Sequence, residues 1–307
     1  MIPRLLIVGG TGFIGSKIVS AAVKQGFECT VLSLNPPKVD TKLTGVNYLQ
    51  ADLVDRSQAI HILSRRAFDY VVNLAGYIDH SKFCRGGRKI IDVHFVGLLN
   101  LLESLDLQAL KGFIQVGSSD EYGDLPAPQF EDMRESPISP YSVAKTASTH
   151  LLQMLSKTEN FPVVIARLFL VYGEGQDNKR FLPQIIQGCL KDREFSVSLG
   201  EQFRDFCHVD DIAQGILAML RAKNVHGKVL NLASGYPITI RAMIEKVRGI
   251  IGFGKPLFGK NPYRVGENMA LYASMKRTQN LLGWKPSIEL DEGLHRTIEF
   301  YRDIYDQ

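Results

Sequence analysis

The chain reads as an α/β protein, a doubly wound parallel sheet with a smaller C-terminal lobe, and three observations predict it. An apolar run, Leu5-Leu6-Ile7-Val8, leads straight into Gly9-Gly10-Thr11-Gly12-Phe13-Ile14-Gly15. Short apolar segments then alternate with longer amphipathic ones as far as Arg167, the pattern of strands and crossover helices. Beyond Tyr172 that alternation fades and Gly, Pro and polar residues become frequent, as in Gly173-Glu174-Gly175-Gln176-Asp177-Asn178.

The elements follow in order. A strand over 4–9 is apolar at consecutive positions, so both of its faces are covered, as in a parallel sheet. The glycines turn it into a helix over 13–25, and a second strand falls at 28–33. A strand at 46–50, a helix at 55–66 and a strand at 69–74 continue the alternation. A long helix at 86–108, a strand at 111–117, a helix at 140–158 and a strand at 162–168 complete it. The segment from Asp205 to about Leu232 returns to the first domain, with a helix after His208-Val209-Asp210-Asp211. The predicted division is therefore 1–172 plus about 205–232 against about 173–204 and 233–307, the second lobe lying over the carboxyl ends of the strands.

Composition narrows the class. With 307 residues and 45% apolar content the chain can bury a sizeable core. Its net charge of +4 comes from 36 basic and 32 acidic residues that are interspersed, which argues against a nucleic-acid partner. Cys29, Cys84, Cys189 and Cys207 have no metal-binding spacing, so neither a disulfide framework nor a metal site is expected. No run reaches membrane-spanning length and no signal segment is evident, so a cytoplasmic protein without a membrane partner is expected.

The glycine turn carries the first functional signal. Gly9 makes the tight turn, Gly12 lets backbone approach a pyrophosphate, and Gly15 lets helix pack on strand; Phe13 and Ile14 present helix N-terminal N–H groups. The second strand ends Ser33-Leu34-Asn35, without the carboxylate that would accept hydrogen bonds from an adenosine ribose. Ser33 and Asn35 are the candidates there, and Lys38 is near. Absence of that charge favours NADP(H) over NAD(H), which remains possible. Asn73-Leu74-Ala75-Gly76 ends the fourth strand in small residues, as backbone lying against a cofactor requires.

The second signal is Ser118, delivered by Phe113-Ile114-Gln115-Val116, with Tyr141 and Lys145 opening a helix after Pro140. Residues four apart share a helix face, so phenol and ammonium address one ligand. A phenol is a poor acid or base at neutral pH; the ammonium is expected to lower its pKa, and Ser118 to stabilise a substrate oxygen. Tyr272 and Lys276 repeat the spacing without a strand-borne Ser beside them.

The glycine pattern, Gly117-Ser118-Ser119-Asp120-Glu121-Tyr122-Gly123, Tyr141…Lys145, Arg204-Asp205-Phe206 and Leu282-Gly283-Trp284-Lys285-Pro286 resemble the extended short-chain dehydrogenase/reductase family. Within it they look like the enzymes of nucleotide sugars. The resemblance implies a Rossmann sheet, a nucleotide-diphosphate sugar substrate and a homodimer. It places Asp52, with Leu53 beside it, on the adenine amino group, although Asp52 and Asp55 both suit a helix N-cap. It places Arg204 and Arg264 on the nucleotide, with Ser119, Asp120 and Arg180 as further substrate contacts. The Ser-Ser-Asp-Glu-Tyr-Gly string looks closest to GDP-4-keto-6-deoxymannose reductases, which implies a reductase of an NDP-4-keto-6-deoxyhexose. The alternative is a 4-epimerase or 4,6-dehydratase; the dehydratase needs Asp120 and Glu121 as an acid/base pair, with Ser119 rather than Ser118 catalytic. A dinucleotide-sensing protein without turnover is a further alternative. His94 stands where the family commonly has Asn, and Leu170 where it often has an Asn on the sugar nucleotide.

Overall fold

A computed structural model of the chain describes residues 2–37, 39–263 and 266–305. The first half alternates as the pattern predicts: β1 (Arg4–Val8), α1 (Phe13–Lys24), β2 (Glu28–Ser33), β3 (Asn47–Gln50), α2 (Arg56–Leu63) and β4 (Tyr70–Asn73). Then come α3 (Gly87–Ile91), α4 (Gly97–Glu103), β5 (Gly112–Ser118), α5 (Pro140–Glu159) and β6 (Val163–Leu168). The remainder comprises β7 (Leu170–Tyr172), α6 (Phe181–Leu190), β8 (Glu194–Ser196), β9 (Phe203–His208), α7 (Val209–Arg221), β10 (Val229–Leu232) and β11 (Pro237–Thr239). It closes with α8 (Ile240–Ile251), β12 (Lys255–Leu257), β13 (Ala270–Leu271), α9 (Lys276–Leu282) and α10 (Leu290–Tyr305).

Seven parallel strands form the main sheet in the order β10-β6-β5-β4-β1-β2-β3. Successive residues of each strand point to opposite faces, and each face has its own apolar layer. Leu5 and Ile7 pack with Ile18 and Ala22 of α1 and Ile212 and Ile216 of α7. Leu6 and Val8 pack with Leu63 of α2, Leu98 and Leu101 of α4 and Leu152 of α5. Burial on both faces is why these strands read as continuous apolar runs.

Two expectations need correction. The helix expected over 86–108 is broken: α3 passes into a π-helical turn, Asp92–Val96, before α4. A π-helical turn is a single-turn interruption within an otherwise α-helical run, and a reading by helical spacing over the whole run does not separate it. The return of the chain to the main sheet also starts later than Asp205. β9 pairs with β7, β11 and β13 in a second sheet, and only α7 and β10 rejoin the first. A separate apolar layer, including Ile186, Met243, Ile244 and Ile298, lies beneath α6, α8 and α10.

The turn between β1 and α1 shows why its glycines are required. Gly9 has φ +78°, and a Cβ on Gly15 would lie 2.3 Å from the Gly9 carbonyl oxygen. Gly15→Ala must therefore push α1 off β1, and a loss of about 1–3 kcal/mol in urea unfolding is expected. An unchanged unfolding midpoint would contradict this packing.

Candidate functional site

The carboxyl ends of β1, β4 and β5 meet through a chain of close contacts. A Cβ on Gly9 would press on the Leu74 carbonyl at 3.1 Å, and one on Gly76 would overlap the His94 ring. The His94 ring in turn lies edge-on to the Tyr141 ring, with centroids 5.0 Å apart. The glycine turn expected to hold a cofactor and the phenol expected to move a proton thus border one site.

That turn has the features a dinucleotide needs. Gly12 is the N-cap of α1 with no side-chain hydrogen bond, and no acidic residue stands in the first turn. The N–H groups of Phe13, Ile14 and Gly15 therefore face outward with the positive end of the helix dipole. A Cβ on Gly12 would meet only the Gly9 oxygen, at 3.3 Å, so a ligand can approach there. The buried Ser33 hydroxyl accepts a hydrogen bond from the Thr11 N–H at 3.3 Å, and Thr11 donates to the Asn35 carbonyl. Ser33 thus also ties β2 to the glycine turn, while Asn35 is exposed. Lys38 lies outside the described residues. Asp55 caps α2, accepting from the Ser57 and Gln58 N–H groups, which leaves the exposed Asp52 free of that duty; Leu53 is buried beside it. Buried Asn73 accepts from the Ala75 N–H and donates to Gln115, fixing the Leu74-Ala75-Gly76 turn.

Ser118, Tyr141 and Lys145 come together. Ser118 ends β5, and its hydroxyl, which accepts from the Asp120 N–H at 3.2 Å, acts on the Tyr141 phenol and favours its ionised form. Ser139 caps α5 and Pro140 opens it, which places Tyr141 and Lys145 on its first turns. The Lys145 Nζ donates to the Val116 carbonyl at 2.8 Å and stands 5.8 Å from the Tyr141 ring centroid. Burial pushes Lys145 down to about 8. The expected lowering of the phenol is not what this arrangement gives: burial first, then the Asp120 carboxylate, push Tyr141 upward, against the pull of Ser118 and Arg180. The phenol is therefore held protonated.

The other expected ligands divide. Asp120 faces the site and contacts His80, Nε2 to Oδ2 at 2.7 Å. Ser119 is buried, and the exposed Arg180, N-terminal to α6, acts electrostatically on Tyr141. Arg204 is mostly buried and bound to Glu267 and to the Phe203 carbonyl, so a nucleotide would have to share it. Arg264 lies outside the described residues.

Sequence reasoning misses the residues that hold the site in place. Glu121 is fully buried and accepts from the Ser118 N–H at 2.9 Å, the Thr149 hydroxyl at 2.7 Å and Arg167 Nη2 at 2.9 Å. Arg167, also fully buried, is shared with Glu135. Glu121 therefore joins β5, α5 and β6 and is not free to serve as an acid or base. A second cluster, Glu174, His208 and Asp210, has the spacing of a metal site, but Lys17 and Arg296 already pair with both carboxylates. It links α1 to α10.

Residues 5–233 match the family model described as the NAD dependent epimerase/dehydratase family. The UDP-glucuronate 4-epimerase of Thermodesulfobacterium geofontis is 25% identical over 97% of this chain and 96% of its own. The dTDP-glucose 4,6-dehydratase of Streptomyces niveus is 24% identical over 98% and 93%. Among solved structures, the UDP-glucuronic acid 4-epimerase of Bacillus cereus, in complex with a fluorinated UDP-sugar and NAD, matches with a TM-score of 0.88. It is 25% identical over 98% of this chain and 100% of that one.

Two outcomes test this arrangement. Glu121→Ala leaves Ser118 N–H, Thr149 and one side of Arg167 unpaired, and a loss of about 3 kcal/mol or more in chemical denaturation is expected; a loss within 0.5 kcal/mol, as at an ordinary surface site, would contradict the bridging role. Lys145 binds its proton more weakly folded, near 8, than in the unfolded chain, near 10.5. The unfolded state then holds more protons across that window, so this lysine's burden on stability is full below it and is relieved as pH rises through it. The stability difference between the wild type and Lys145→Met should accordingly shift toward the wild type from pH 8 to 10.5.

Proposed function

The chain belongs to the NAD dependent epimerase/dehydratase family, and from that premise we propose that it carries out hydride and proton transfer at C4 of a nucleotide-diphosphate hexose. The observation that carries this reading is the convergence of Ser118, Tyr141 and Lys145 at the end of β5, linked by contact to the glycine turn of β1 and α1. In this reading the main sheet, with α7 and β10, holds the cofactor, and the second sheet with α6, α8 and α10 holds the nucleotide sugar.

A bound nicotinamide supplies or accepts the hydride. The outward N–H groups of Phe13, Ile14 and Gly15 would hold its pyrophosphate, and Leu74, Ala75 and Gly76 would line its other side. Tyr141, kept protonated by burial and by Asp120, gives its proton to a C4 ketone oxygen. Ser118 donates to the same oxygen as charge develops there. In the opposite direction the phenol must accept a proton, and Lys145 stabilises the phenolate that precedes this.

Similarity to 4-epimerases supports 4-epimerisation on a retained NAD as the first form of this chemistry. A dehydratase is disfavoured because Glu121, the second member of its acid/base pair, is taken up by Arg167, Thr149 and Ser118. One observation favours a second form, reduction of an NDP-4-keto-6-deoxyhexose by NADPH: no carboxylate ends β2, and Ser33 and Asn35 stand there instead. A reductase exchanges its cofactor at every turnover, and a 2′-phosphate meets no repulsion at that strand end.

The experiment is a panel of UDP-, dTDP-, GDP- and CDP-hexoses and their 4-keto-6-deoxy derivatives, each with NAD and with NADPH. Conversion of a hexose to its C4 epimer without net cofactor consumption supports the epimerase; stoichiometric NADPH loss on a 4-keto sugar supports the reductase. Tyr141→Phe is expected to lower either activity by about a hundredfold or more while leaving cofactor binding intact. Unimpaired turnover of that variant would refute the assignment.

A further inference from the structure

Tyr141 is only 4% exposed, yet net reduction at C4 consumes one proton from water per turnover, and that proton needs a way in. The groups acting on the phenol are Asp120, Ser118, Glu121 and Arg180. Lys145, His94 and His80 surround its ring.

Most of these cannot carry a proton inward. Glu121 is fully buried and fully engaged. Lys145 is buried and held by the Val116 carbonyl. Arg180 reaches solvent, but a guanidinium does not give up its proton. Ser118 is buried, and its hydroxyl accepts from the Asp120 N–H. His94 is buried, and burial with the nearby Lys145 charge pushes it down to about 3, so it is neutral. Its Nε2 lies 2.9 Å from the Tyr77 carbonyl and must carry the ring hydrogen, which leaves Nδ1 as a bare, unpartnered acceptor.

His80 and Asp120 differ from all of these. Their side chains are 43% and 30% exposed, they contact each other at 2.7 Å, and the His80 ring meets the Tyr141 ring edge-on at 5.8 Å. Asp79, the other carboxylate near His80, is engaged by Ser81. Imidazole is the side chain best suited to exchange protons near neutral pH, and a carboxylate partner orients its ring.

We propose that His80, oriented by Asp120, is the proton port of this site, reloading Tyr141 from solvent through one bridging water. The proposal rests on Tyr141 as the acid at C4 and bears on the net-reducing form of that reading. The balance is simple. The ketone carbon takes a hydride from reduced nicotinamide, and its oxygen takes the phenol proton to become the hydroxyl. The phenolate regains a proton from the His80 imidazolium by way of the water, and the neutral imidazole takes its next proton from solvent. An epimerase returns its proton to Tyr141 within each cycle and has no need of this route.

The test uses the full chain with NADPH and a 4-keto-6-deoxy sugar nucleotide. In His80→Ala the first turnover draws on the proton already on Tyr141, so hydride transfer in a stopped-flow burst should keep its wild-type rate. Steady-state turnover should fall at least about tenfold, with KM for the sugar unchanged and with recovery on adding free imidazole. Asp120→Asn, which keeps the shape of the contact, should slow turnover without responding to imidazole. Steady-state turnover equal to the wild type in His80→Ala, or a loss that imidazole does not restore, overturns the port. A wild-type protein that epimerises without consuming NADPH overturns the port and leaves the epimerase reading standing. One that transfers no hydride to any sugar nucleotide removes both.

Discussion

The site depends on a buried charge pair. Glu121 and Arg167 are both fully excluded from solvent and 2.9 Å apart, one just past the end of β5 and the other on β6. Two charges without water are costly unless every lone pair is used, and here the carboxylate also takes the Ser118 N–H and the Thr149 hydroxyl. Because Thr149 lies on the same helix as Tyr141 and Lys145, a single carboxylate sets the distance between the serine and the phenol. Tyr122 adds to the same knot: its ring lies under the Arg167 guanidinium, and its hydroxyl donates to Asn231 on β10. The arrangement of Ser118, Tyr141 and Lys145 is thus held by side chains that are themselves fully buried.

The same economy runs through the other motifs that carry the family resemblance. Asp205 accepts from the Ser234 N–H and hydroxyl, the Gly235 N–H and the Ala273 N–H, and so ties β9 to two following loops. Asp211 accepts from the Ser287 and Ile288 N–H groups, anchoring the segment after Trp284. These aspartates serve as fixed acceptors for loop backbone, which explains why such sequence strings mark a fold more firmly than they mark a substrate.

What was legible in the sequence follows from this physics. Strands covered on both faces give apolar runs, so β1, β4, β5 and β6 stand out, and a Pro-Tyr-x-x-x-Lys start to a helix places Tyr141 and Lys145 unambiguously. The glycine turn is equally plain, since Gly9 and Gly15 answer to a positive φ and to a backbone contact. Buried charges are another matter. Glu121 and Arg167 look like surface residues in a string of letters, and Glu121 reads as half of an acid/base pair until its partners are seen. His80 and Asp120 lie 40 residues apart and meet only because β4 and β5 are neighbours. The raised phenol is likewise a three-dimensional fact, since it needs the burial of Tyr141 and the nearness of Asp120. The second sheet, built of strands two to six residues long, leaves too little pattern to read.

In the proposed reaction Tyr141 and Ser118 address one sugar oxygen opposite a nicotinamide. A crystal structure of the protein with NAD and a UDP-hexose tests it directly. The expected structure has the Tyr141 and Ser118 hydroxyls within hydrogen-bonding distance, about 3 Å, of the same C4 oxygen, with the nicotinamide ring against that carbon. A sugar bound away from Tyr141, or a nicotinamide out of reach of its C4, would contradict it.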